Sequence, residues 1–156
     1  MIIKWILVVL HIITAAAWFG IGLRLTGQAR AVLEHDGDTQ RVLAEQGGRS
    51  VWLMNVFIVL TLVFSLSAFV AGGHFVRYGP AYHSAVTLIV LLTLDQLWII
   101  RGGWAALKEA VGNGAADALE SAKTRVAIGT GVGHLLWLVL LGLMFVDQFQ
   151  AAIAAL

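Results

Sequence analysis

The chain has 156 residues, the length of one domain, of which 60% are hydrophobic and 12% charged. A soluble domain carries about 25% charged residues, so a water-soluble globule is excluded. The net charge of +1 supplies no basic stripe for nucleic acid. The absence of cysteine excludes disulfides, thiolate-held metal, covalently attached c-type haem and a thiol nucleophile.

With a mean hydropathy of +0.88, the chain resolves into four apolar stretches, each close to the ~20 residues that cross a hydrocarbon core. The first runs from Ile2 to Leu23. Lys4 followed by an apolar run and Ala15-Ala16-Ala17 imitates a signal peptide, but the apolar character continues through Trp18-Phe19-Gly20-Ile21-Gly22-Leu23, so a retained helix is expected. The connection from Thr26 to Ser50 reads as a helical extension of this first span around Glu34-His35-Asp36-Gly37-Asp38. The second span runs from Val51 to Ala71 and is followed by a short turn, where Gly79-Pro80 is a good helix start. The third runs from Ala81 to Ile100. The connection from Gly102 to Arg125 reads as two short amphipathic turns broken at Gly112-Asn113-Gly114, and the fourth span runs from Val126 to Val146. An all-α integral membrane four-helix bundle follows.

Charge sets the expected orientation. Arg24, Arg30, Arg41, Arg49, Arg101, Lys108, Lys123 and Arg125 lie on the side of the two longer connections, and only Lys4 and Arg77 on the other. The positive-inside rule then places both termini external. Trp52 and Trp98 fit the inner interface belt, Trp5 the outer one, and Trp104 falls in the second long connection. No phosphate loop is present, since Gly129, Gly131 and Gly133 lie in an apolar span without the required strand or lysine.

Polar side chains at bilayer depth need an explanation. At ~1.5 Å per residue from the middle of each span, His11 and His134 are expected about 5 Å apart in depth, with His83 ~11 Å and His74 roughly 20 Å toward the outer side. Two neutral imidazoles from different helices at one depth are what a b-type haem needs for its axial positions. Gly131, one turn before His134, and Ala15, one turn after His11, would let a flat ring approach, and Trp18 and Trp137 would line it or pack. The alternative is that the small residues are helix-packing surfaces and the histidines bond neighbouring helices. His74 and His83 form a second, shallower pair: interfacial polar residues, ligands of a second haem, or a copper entry site. Asp95 is expected either to pair with Arg24, Arg101 or Arg125, or to relay protons for redox or quinol chemistry, with Asn55 and Gln96 in reach.

His11, six residues, Trp18, one residue, Gly20, then Leu23-Arg24 resembles the first span of the HemJ-type protoporphyrinogen oxidases and the CopD-like copper-resistance proteins. The likeness covers about 25 residues. It implies a multi-pass protein of a bacterial inner membrane in which His11 ligates haem. The lysine that is the second ligand in the HemJ type has no counterpart in any span after the first, which leaves His134 or His83 for that place. The CopD-like relatives imply copper handling, but Met54 and Met144 stand alone rather than in a methionine-rich segment. The expected functions are therefore electron transfer by one or two haem b groups to or from a quinone or redox partner, haem-dependent porphyrinogen oxidation, copper transport, or a purely structural accessory role. A homodimer is compatible with the Gly- and Ala-rich outer faces.

Overall fold

The structure is a computed structural model that describes residues 2–73 and 79–155. His74 and Arg77 lie outside the described residues, with the rest of the segment 74–78 between the second and third spans. The described residues are helical almost throughout and contain no strand. Four helices are long and apolar enough to cross a membrane, as expected. The protein is thus a multi-pass helical membrane bundle.

Helix α1 spans Ile2–Leu33 and α2 spans Gly37–Ala71. At 1.5 Å per residue each is about 50 Å long, well beyond a ~30 Å hydrocarbon core. The two run as a continuous antiparallel hairpin closed at Glu34-His35-Asp36, where Gly37 adopts φ +59°. The sequence between Thr26 and Ser50 is therefore the far end of both helices, not an extension of the first alone. Pro80 begins α3 (Pro80–Leu94) with its missing N–H at the first helical position, as the Gly79-Pro80 pair implies. A π-helical segment, Asp95–Ile100, joins α3 without interruption to α4 (Arg101–Asn113). Gly114, left-handed at φ +64°, ends α4, and α5 (Ala116–Met144) returns through the membrane before a short α6 (Val146–Ala154). The break expected at Gly112-Asn113-Gly114 lies where it was read. The flanking pieces, however, continue the membrane helices.

In the membrane the exposed helix faces are largely apolar, and close backbone approach helps to hold the bundle. A Cβ on Gly129 would stand 2.9 Å from both Ile99 and Ile100, and one on Gly103 3.0 Å from Val126, so these glycines set the spacing of α5 against the third span. Beyond the membrane the same helices build a core like that of a soluble bundle. Trp104 is 2% exposed, its indole fills the notch at Gly47, and its Nε1–H donates to the Ala44 carbonyl at 3.0 Å. Leu25, Val32, Leu107 and Val126, all fully buried, complete it. Trp5, Trp52 and Trp98, the residues expected in the interface belts, are more than 60% exposed.

Candidate functional site

Trp18, Asn55, Asp95, Gln96 and His134 collect where α1, α2, the π segment and α5 meet. Trp18 of α1 donates its indole N–H to Gln96 Oε1 at 2.9 Å, and the Gln96 amide donates onward to Asn55 Oδ1 of α2 at 2.8 Å. Three helices are thereby tied by a chain of neutral hydrogen bonds. Gln96 is fully buried and Trp18 1% exposed.

Asp95 and Gln96, the first two residues of the π segment, are both buried in this cluster. Arg125 supports this turn from α5 by donating to the Trp98 carbonyl at 2.8 Å.

Asp95 belongs to the cluster but not to the hydrogen-bond chain. Both of its carboxyl oxygens are buried, and neither has a hydrogen-bond partner among the described residues. The expected ion pair with Arg24, Arg101 or Arg125 is not formed. Arg125 is turned to the Trp98 carbonyl, and Arg24 lies in a groove on another face of α1. Nor do Asn55 and Gln96 bond the carboxyl, since they bond each other. A Cβ on Gly133 would stand 3.0 Å from Asp95 Oδ2 and 3.2 Å from Trp18, so the absence of a side chain at Gly133 makes room for both.

His134 is the second ionisable member. Its Nε2 is buried with no hydrogen-bond partner and faces Gly22 of α1, where a Cβ would come within 2.8 Å. The ring is enclosed by aromatic groups. Its centroid lies 4.7 Å from Phe19 and 6.1 Å edge-on from Trp18, and Phe19 stacks on Trp137 at 4.3 Å.

His11 stands elsewhere. Its Nδ1–H donates to the Thr61 carbonyl of α2 at 3.3 Å, next to a Thr61–Thr14 hydroxyl bond of 3.0 Å. His134 meets α1 at the level of Phe19 to Gly22, which is roughly 12–16 Å further along that helix. The two histidines are thus not brought to one point within a chain. Hydropathy windows centre each span separately and carry no information on how far two helices slide past one another. Gly131, the small residue expected beside His134, opens to the outside of the bundle with no atom within 4 Å of its Cβ position, while Gly129 and Gly133 take the close contacts. His83 sits half-buried in the first turn of α3. Among the described residues no three His, Asp or Glu side chains gather to hold a metal ion.

Comparison with family models, curated proteins and solved structures finds no match to this chain. The likeness to HemJ-type and CopD-like first spans therefore rests on the residues of α1 alone.

Proposed function

We propose that the protein handles protons inside the membrane, with Asp95 and His134 as the groups that take up and release them. The observation behind this reading is the contrast within one cluster: Trp18, Gln96 and Asn55 satisfy one another, while Asp95 Oδ1, Asp95 Oδ2 and His134 Nε2 are buried without a partner. Ionisable side chains at bilayer depth are costly, and they pair or mark ion and proton pathways; Asp95 has no partner on either oxygen, and His134, bonded to the Phe19 backbone, keeps Nε2 free. A carboxyl group without a partner couples its charge to any proton or cation that reaches it, since an uncompensated buried charge costs several kcal/mol. The π turn that presents Asp95 is an irregularity often found at functional sites.

The test is reconstitution into liposomes carrying a pH-sensitive dye, with proton flux driven by an imposed potential. Flux above empty liposomes that is lost in Asp95→Asn and reduced in His134→Gln, with both variants folded by thermal melting, is the expected result. Flux absent from the wild type, or unchanged in Asp95→Asn, overturns the reading. Infrared difference spectra give an independent check, since the wild-type band of a protonated carboxyl must vanish in Asp95→Asn.

A second reading keeps a redox role, with a b-type haem on His11 exchanging electrons with a quinone or a redox partner. It is favoured by the Nδ1–H contact to the Thr61 carbonyl, the orienting bond that metal-ligating histidines make. His11 bonds α2 at Thr61 while His134 faces Gly22 of α1, so this reading rests on His11 and leaves the second ligand open. Bound haem would supply one-electron chemistry; His11 would hold the iron, and Thr61 would fix the ring and its tautomer. Reduced-minus-oxidised spectra of protein expressed with ample haem decide it. A colourless preparation ends this reading and leaves copper handling or a structural role, the interhelical bond to Thr61, for that histidine.

A further inference from the structure

We infer that a groove between α1 and α2, at the basic end of the bundle, binds an anionic phospholipid with a hydroxyl-bearing headgroup, of the phosphatidylglycerol kind. The groove holds about 340 Å³ and lies on the outer side of the helix pair, away from the Asp95 cluster. Its walls change character along the membrane normal. Arg24 and Gln28, one turn apart on α1, face Ser50 of α2 at the rim, and Gly20, Ile21 and Leu53 lie one turn deeper. This is the polarity profile of a headgroup above an acyl chain.

Three observations give the ligand its chemistry. Arg24 is exposed and makes no ion pair or hydrogen bond among the described residues, so a full positive charge stands at the end of the apolar run where lipid phosphates lie. Gln28 Oε1 is buried without a partner, an acceptor that a phosphate alone cannot satisfy and a headgroup hydroxyl can. Ser50 donates to the Gln46 carbonyl at 3.5 Å, which leaves its own oxygen to accept a second headgroup hydroxyl. The deeper half has room for a chain, since no atom lies within 4 Å of a Cβ placed on Gly20. A choline headgroup has no N–H or O–H donor for Gln28 and carries no net charge to match Arg24. The glycerol headgroup supplies both.

Native mass spectrometry of the protein released from nanodiscs of equal phosphatidylglycerol and phosphatidylcholine tests the site. The wild type is expected to retain phosphatidylglycerol preferentially. Loss of one charge-assisted hydrogen bond in Arg24→Gln should lower that retention by roughly tenfold or more. Gln28→Leu should reduce the preference over phosphatidylcholine, and Gly20→Leu should reduce retention of both lipids. Arg101→Gln, an exposed arginine outside the groove, should leave the pattern unchanged and so separate the site from general attraction of lipid anions. Soluble glycerol phosphate should fail to compete, which distinguishes a lipid from a free phosphate ester. Equal retention of the two lipids by the wild type overturns the inference, as does an Arg24→Gln variant that keeps wild-type selectivity or a quinone held in place of the lipid.

Discussion

Replacing Gly47 by alanine should unfasten the part of the bundle that stands outside the membrane. An added Cβ would overlap Trp104 Cζ2 and Cη2 and come within 2.9 Å of Cε2. The contacting atoms belong to a rigid ring, so the indole cannot bend away and must move as a body. Overpacking of this sort costs about 1–3 kcal/mol. Movement of the indole also breaks its bond to the Ala44 carbonyl, a further ~1 kcal/mol. Alanine returns up to ~1 kcal/mol through its better helix propensity. The net loss is about 2 kcal/mol, and at ~2–4 °C per kcal/mol it should lower the melting temperature in detergent by about 4–8 °C. The adjacent residue provides the control. A Cβ on Gly48 meets its nearest neighbours, Lys108 and Trp104, at 3.6 Å, an ordinary contact, so Gly48→Ala should be neutral or stabilising. Trp104→Leu should restore tolerance of alanine at 47, giving a favourable coupling in a double-mutant cycle. If Gly47→Ala melts with or above Gly48→Ala, the account of the Trp104 notch is wrong.

A similar contrast applies inside the membrane. Gly133→Ala, whose Cβ would crowd Asp95 and Trp18, should lose about 1 kcal/mol, whereas Gly131→Ala, which meets nothing, should melt as the wild type or slightly higher. Equal melting temperatures for the two variants would show that α5 does not present Gly133 to the cluster. Trp18→Phe should cost about 1 kcal/mol by leaving Gln96 Oε1 without its donor, between the average of ~0.6 and the maximum of ~1.7 kcal/mol for interhelical bonds in membranes. In Trp18→Phe combined with Gln96→Leu the loss should be smaller than the sum of the single losses. Strict additivity in that cycle would mean that the two side chains do not act on each other.

Four membrane spans and the broken connections followed from composition and local chemistry. Runs of apolar residues of the right length, Pro80 at a helix start and Gly114 past a helix end act within a few residues, and such signals are readable without a fold. The polar residues that would need a purpose, His11, Asn55, Asp95, Gln96 and His134, were equally visible, because hydrocarbon penalises every one of them. Their grouping was not. Whether His134 meets His11 or Gly22 depends on the slide of α5 along α1, and whether Asp95 finds an arginine depends on how the third span packs on α5, where Arg125 is taken by the Trp98 carbonyl. Trp104 read as a loop residue and proved to be a core anchor, since its burial is created by a glycine nearly sixty residues away. The chain's own sequence thus determined what must be buried in the membrane and where helices start and stop. Only the tertiary structure decided which side chains share a centre, because helix register and close backbone approach are properties of pairs of helices.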